Sequence, residues 1–193
     1  MSGTHFENFQ EWRQEIIESN IETSSPLETA RLLIIPMNRE DENSFVNGIA
    51  DRVLRVAYGF PAEPDDAVSA KIFQHFCELK TAFALIEKAT GHMAGFLLNV
   101  DPELPDPVKT GLSEKGRTLV YAVFPSFQQQ GYMLETLKLY IPYLFQTTGI
   151  GYIHCGHFTD NVPSRNLLVK LGFREYARHT VKDRTIVDEI LFP

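Results

Sequence analysis

The chain has 193 residues, 44% of them apolar and 22% charged, with a formal charge of −7. That is enough for one buried core and short for two. No block of lysines and arginines concentrates positive potential, which excludes a protein whose main work is gripping nucleic-acid phosphates; an acidic surface suits a basic partner such as an amine. Cys77 and Cys155 are the only cysteines, too few for a disulfide scaffold, so a reduced, cytoplasmic protein is expected. Neither a signal peptide nor an apolar run of membrane-spanning length is present, so no membrane association is expected.

In chain order, Phe6, Phe9, Trp12, Ile16 and Ile17 recur at helical spacing and predict an amphipathic N-terminal helix. The stretch SNIETSSP ends it at Pro26. Residues 27–37, LETARLLIIPM, read as one strand. Residues 39–58 and 66–80 read as helices, the second capped by Asp65 or Asp66. Phe83–Ile86 and Ala94–Val100 form the arms of a hairpin around a turn at Lys88–His92. Residues 101–116 carry three prolines and no period, hence a loop. TLVYAVFP is a strand, QQQGYMLETL opens a helix with the apolar stripe Met133, Leu137, Tyr140, Ile141, Leu144, and GYIHCGHF is a strand. Asn161 caps a helix that Gly172 ends, and residues 173–178 and 184–191 are two final strands. Pro142 stands inside the helix that QQQG begins, where it leaves the carbonyl of Lys138 without a donor and predicts a kink.

Strand, helix, strand, helix over residues 118–171 implies a parallel βαβ unit, with antiparallel hairpins on either side. The expected fold class is therefore α/β of mixed (α+β) type: residues 1–26 form a helical extension and residues 27–193 the domain.

Gln128, Gln129, Gln130 and Gly131 stand between a strand and a helix. A helix N-terminus leaves backbone N–H groups unpaired and carries partial positive charge, and a glycine there lets phosphates approach the backbone. Such a turn serves equally as a plain strand-to-helix connection, and the tetrapeptide alone leaves both readings open.

Three motifs occur in order: LETARLLIIP, then Y-x-V-x-P followed by Q-x-x-G-Y-x-x-E-x-L, then N-x-x-S-x-x-L-x-x-L-G-F. Together, over about residues 27–178, they resemble the GCN5-related N-acetyltransferases (GNAT), in particular the branch acting on ribosomal-protein N-termini. The resemblance implies a mostly antiparallel sheet with a central parallel βαβ unit flanked by helices. It also implies acetyl-CoA as cosubstrate, no metal, and a primary amine as acceptor. By the same resemblance Gln128, Gln129, Gln130, Gly131, Tyr132 and Met133 hold the pyrophosphate, Met133 replacing a usual small residue. Val123 and Phe124 pair with the pantetheine arm, and Asn161 reaches the CoA arm as well as capping its helix. The protein is expected as a monomer or homodimer.

Many relatives use a tyrosine to protonate the departing thiolate; Leu168 occupies that place here. Ser164 matches the serine of the ribosomal-protein branch and is the candidate donor to sulfur. A glutamate often found before the pyrophosphate motif is replaced by Thr118. His157, at a strand end, offers an imidazole, the side chain best suited to accepting a proton near neutral pH, and Glu135 matches an acidic residue that can orient an amine. His154, Cys155 and His157 do not make a metal site, because residues 154 and 157 point to opposite faces of a strand. Cys155 inside a strand reads as an inert small hydrophobe. Loss of both the tyrosine and the glutamate keeps two rivals in view: a non-catalytic acyl-CoA-binding module, and an interaction domain docking through its N-terminal helix. Specificity is expected in the loops at 59–66 and 101–117.

Overall fold

The computed structural model describes residues 27–102, 104, 109, 111–112 and 115–193; the N-terminal segment read as a helix lies outside them. Eight strands form one sheet in the order β1 (Leu27–Glu28), β2 (Leu32–Pro36), β3 (Ala82–Glu87), β4 (Met93–Val100), β5 (Gly116–Val123), β6 (Tyr152–Phe158), β8 (Arg184–Leu191), β7 (Arg174–Val181). Every neighbouring pair is antiparallel except β5 and β6. Among the described residues the α-helices are α1 (Glu42–Gly48), α2 (Arg52–Ala57), α3 (Asp66–Glu78), α4 (Tyr132–Thr148) and α5 (Val162–Lys170).

Strand alternation divides the core into two layers. Val120, Ala122 and Phe124 join Phe96 and Leu98 under α1 and α3, around the packed rings of Phe45, Phe73 and Phe76. Leu119, Tyr121 and Val123 face the other way, with Ile153 and Cys155, against α4 and α5. Met133, Leu137, Tyr140, Ile141 and Leu144 form the buried stripe of α4, as their spacing requires.

Three local differences from the sequence reading have physical causes. Residues 27–37 are two strands, because Thr29 turns the chain: its N–H bonds to Leu32 O and its hydroxyl accepts from Leu32 N–H (both 2.9 Å). Residues 39–58 are a 3₁₀ turn (Arg39–Asp41) followed by two helices. The break falls where Gly48 lies under the Phe124 ring with no room for a Cβ, and where Asp51 starts a new helix by accepting Leu54 N–H at 2.8 Å. The 3₁₀ turn Pro125–Phe127 separates β5 from the glutamines, so the helix begins at Tyr132 and not directly after the strand.

Arg55 is fully buried and clamps the segments between these helices. Its guanidinium donates to Pro61 O (2.7 Å), Ser69 Oγ (3.2 Å) and Ile49 O (3.4 Å). Three chain segments thus converge on one cation, which fixes how the 59–65 loop lies over the sheet.

Helix α4 runs through Pro142, whose position faces solvent. Water can satisfy the carbonyl of Lys138, so the proline costs less than it would on the buried face, though its ring still crowds the preceding turn. Pro142→Ala is expected to stabilise the fold by up to about 3 kcal/mol while leaving the first turn of α4 in place. Chemical denaturation checks this, and a destabilised variant would show that the turn at 142 is required by packing.

Candidate active site

β5 and β6 are paired only at Gly116↔Tyr152, Arg117↔Ile153 and Thr118↔His154. Beyond these three pairs both strands continue without each other. β5 stays on β4 as far as Gly95↔Val123, and β6 stays on β8 as far as Phe158↔Ile186. A wedge therefore opens in the middle of the sheet. Phe124 N–H bonds to Ala94 O at 2.8 Å and Phe124 O accepts from Phe127 N–H at 2.9 Å. By alternation, the N–H and C=O of Tyr121 and Val123 point across the wedge. Of the two residues expected to meet the pantetheine arm, Val123 thus faces the gap, whereas both backbone groups of Phe124 are engaged inside the protein. Val123 O accepts from the Gln128 side chain at 3.0 Å.

At the open end of the wedge, Gln129 (φ 61°) and Gly131 (φ 78°) adopt left-handed backbone. Curled backbone of this kind, at the start of a 17-residue helix, makes an anion-binding concavity. Gln128, Gln129, Gln130 and Gly131 are exposed. The N–H groups of Gln129, Gln130 and Gly131 meet no protein acceptor among the described residues; the first bond of the turn is Glu135 N–H to Gly131 O, 3.0 Å. Tyr132 and Met133 instead send their side chains into the core, so the large Met133 fills space beneath the turn and leaves its exposed side clear.

Glu135 does not face the wedge. It takes Arg31 in a two-pronged ion pair, with Nε at 2.7 Å and Nη2 at 2.6 Å, and also accepts Arg31 N–H at 2.9 Å. Burial alone would raise its pKa, but hydrogen bonds from Thr29 and Arg31 and the Arg31 charge outweigh this and hold the carboxyl below its usual range. Arg31 lies over the Tyr132 ring at 4.5 Å, and the Tyr132 hydroxyl donates to Glu87, which also accepts from Thr90 at 2.7 Å. This network locks the β1–β2 turn and β3 to the first turn of α4, so Glu135 positions the helix N-terminus.

Across the wedge, Asn161 Oδ1 accepts Ser164 N–H at 3.2 Å and so caps α5. That cap holds the Ser164 hydroxyl 3.0 Å from the Tyr121 hydroxyl on β5. Burial, then the neighbouring Cys155, push the Tyr121 pKa well up, against the opposing hydrogen bond from Ser164, so Tyr121 stays protonated and able to donate. Tyr58, from the end of α2, is held protonated in the same way, by burial and by Cys155. Burial also pushes the Cys155 thiol up, which removes it as a nucleophile. Leu168 is fully buried in the α4–α5 core.

The two strand histidines point to opposite faces. His154 bonds to Thr118 Oγ1 and to Asp188 Oδ1, both at 3.0 Å, and Asp188 Oδ2 accepts from His179 at 2.7 Å. His157 is 5% exposed and uses both ring nitrogens: Nδ1 on Phe158 O at 2.9 Å and Nε2 on Glu189 Oε1 at 3.3 Å. Among the described residues no three His, Cys, Asp or Glu side chains converge as a metal site, and no helix is long and apolar enough to cross a membrane.

Sequence reasoning passed over Tyr121, Arg31 and Glu189. Tyr121 stands inside the quoted Y-x-V-x-P motif, and its parity places it with Leu119 and Val123 on the α4–α5 face. Glu189 carried a signal of its own, since two adjacent acids in the apolar strand TIVDEILF cannot both reach solvent once that strand is interior.

A sheet wedged open at its only parallel pair, with a helix N-terminus aimed at its mouth, has known counterparts. The family model described as acetyltransferase (GNAT) domain matches residues 31–174, and the chain belongs to that family. The fold agrees with a GNAT-family acetyltransferase from Bacillus anthracis at a TM-score of 0.72 and 14% identity, over 87% of this chain and 98% of that one. It agrees with RimL, the ribosomal L7/L12 α-N-protein acetyltransferase, at 0.67 and 13%, over 88% and 94%. The ribosomal-protein-S5-alanine acetyltransferase of Vibrio fischeri follows at 0.64 and 14%, over 87% and 96%. No curated protein matches in sequence.

The Arg31–Glu135 pair generates a pH-dependent prediction. Because the folded-state pKa of Glu135 is depressed, its contribution is present above the unfolded value and lost as pH falls through the folded one. Glu135→Gln is expected to cost about 1 kcal/mol at pH 7, the pair being partly exposed. The difference between parent and variant should shrink between about pH 5 and pH 3. Urea denaturation across that range checks it; a pH-independent difference would assign the loss to packing.

Proposed function

We propose that the protein is an acetyl-CoA-dependent N-acetyltransferase that transfers the acetyl group directly to a primary amine, such as a protein N-terminus, an amino acid or a small amine. The observation that carries this reading is the juxtaposition of the unpaired N–H groups at Gln129–Gly131, the open edge of β5 at Val123, and the Tyr121–Ser164 hydroxyl pair along one wedge. Acetyl-CoA brings its acetyl group already activated as a thioester. The N–H groups at Gln129–Gly131 bind its pyrophosphate through the helix dipole, on a protein that is otherwise acidic. The β5 edge aligns its arm, and alignment of two reactants is itself a large part of the rate. Ser164, hydrogen-bonded to a tyrosine that stays protonated, delivers a proton to the departing sulfur. Asn161 acts through Ser164, as the cap that fixes it. The free thiols Cys77 and Cys155 suit work in a reducing compartment such as the cytoplasm.

A non-catalytic acyl-CoA-binding module is favoured by one observation, the burial of Leu168 where many relatives present a tyrosine. The Tyr121–Ser164 pair supplies a hydroxyl in its stead, and we therefore prefer the enzyme. Thiol release from acetyl-CoA with a panel of peptides, amino acids, polyamines and aminoglycosides decides between them. An active parent is expected, and binding of acetyl-CoA without release for any amine would favour the module.

Two variants test the assigned roles. Ser164→Ala is expected to lower kcat at least tenfold, about 1.4 kcal/mol, with acetyl-CoA affinity within about twofold of the parent. Equal turnover would leave Ser164 with only its place in the helix. Gly131→Asp sets a carboxylate among the pyrophosphate donors with a residue that tolerates left-handed backbone. Calorimetry should show acetyl-CoA binding weakened more than tenfold while folding stability stays within about 1 kcal/mol; unchanged binding would remove the phosphate cradle.

A further inference from the structure

The hydrogen bonds around His157 impose a count of protons. Nδ1 lies 2.9 Å from Phe158 O, and a carbonyl oxygen only accepts, so Nδ1 carries a hydrogen. Nε2 lies 3.3 Å from Glu189 Oε1. A neutral ring with its hydrogen on Nδ1 offers a lone pair at Nε2, and an ionised carboxylate offers lone pairs too. Two acceptors do not bond, and both side chains are buried, at 5% and 4% exposure, so water does not relieve the conflict. One additional proton resolves it, on either the ring or the carboxyl.

The other face of the sheet provides the contrast. His154 donates from Nε2 to Asp188 and accepts at Nδ1 from the Thr118 hydroxyl, while His179 donates from Nδ1 to the same Asp188. There both rings can be neutral beside an ionised carboxylate, and the charge count closes without an extra proton.

We infer that His157 and Glu189 hold one proton between them in the resting protein, and that this buried pair is the proton store of the transfer site, with Glu189 the residue that positions His157 and shares the proton with it. The inference rests on the acetyl-transfer reading. The groups facing the pair are compatible with a stored proton. Glu175 on β7 lies opposite Glu189 in register and acts electrostatically on His157. Tyr121 on β5 and Cys155 on β6 both feel Glu189, and both are neutral. Arg178 is taken up by Glu175 at 2.7 Å, and Arg165 on α5 acts on the same carboxylate.

The proton balance is as follows. Ser164 or Tyr121 gives a proton to the departing thiolate, the His157–Glu189 pair restores that proton to the hydroxyl pair, and the pair recovers one from the acceptor nitrogen as the amide forms. The pair returns to its starting state, and the acceptor enters as the free amine. The pair therefore starts the cycle as an acid and serves as a base only in the second half.

Two measurements test this. In the unmodified protein labelled with ¹⁵N-histidine and ¹³C-glutamate, NMR at pH 7.5 should show either both His157 ring nitrogens protonated or the Glu189 carboxyl protonated. A ring protonated only at Nδ1 beside an ionised Glu189 overturns the proposal, whether or not the protein proves to be an acetyltransferase. In Glu189→Gln the amide can donate to Nε2, which keeps the hydrogen bond and removes the need for the extra proton. Turnover should fall at least tenfold and the alkaline limb of the kcat profile should move to lower pH, with acetyl-CoA affinity unchanged. A parent with no activity on any amine would defeat the acetyl-transfer reading and leave the NMR result standing. An active parent and a variant with the same pH profile would reduce Glu189 to a packing role.

Discussion

β5 cannot follow both of its neighbours. It is hydrogen-bonded to β4 along nearly its whole length, from Thr118 to Val123, while β6 is bonded to β8 over six consecutive residue pairs from Ile153 to Phe158. Each antiparallel partnership carries more hydrogen bonds than the three-residue parallel contact between β5 and β6, so the twist of the two half-sheets is relieved at that contact. The wedge is the consequence, and the placement of the functional groups depends on it. Closing it would bury the β5 edge at Tyr121 and Val123 as an ordinary ladder and leave no room for an extended ligand.

The two sides of the wedge are held by different means. On the β5 side, the first turn of α4 is anchored through Arg31, Glu135, Tyr132 and Glu87, groups drawn from the β1–β2 turn, β3 and the helix itself. Because this network satisfies side chains and leaves the N–H groups at Gln129–Gly131 without acceptors among the described residues, the turn is anchored yet still electropositive. On the β6 side, Asn161 fixes α5 through Ser164 N–H, and the Ser164 hydroxyl reaches back to Tyr121. That one hydroxyl pair spans from α5 to β5 at the point where the strands have parted.

Charge is distributed to match. The protein is acidic overall, but two of its buried acids are tied to histidines: Asp188 to His154 and His179, Glu189 to His157. Both acids come from adjacent positions of β8 and so lie on opposite faces. Strand parity thus separates a structural cluster on the α1–α3 side from a pair on the side of α4 and α5, where Tyr121 and Ser164 lie.

Much of this was legible without coordinates. The helical spacing of Met133, Leu137, Tyr140, Ile141 and Leu144, the strand–helix alternation after Thr118, the caps at Asp65 and Asn161, and the motifs of the resemblance each depend on residues close together in the chain, where period and turn chemistry are decisive. The sequence by itself thereby determined the fold class and the location of the turn that opens α4. It did not distinguish Glu135 as an amine ligand from Glu135 as the partner of Arg31, which lies 104 residues away. Nor did it pair Tyr121 with Ser164 or His157 with Glu189, separated by 43 and 32 residues. Those partnerships were decided by the tertiary structure alone. A side chain's protonation and role follow from the groups within about 3 Å of it, the hydrogen-bonding range, and only strand register and helix docking determine which distant residues come that close.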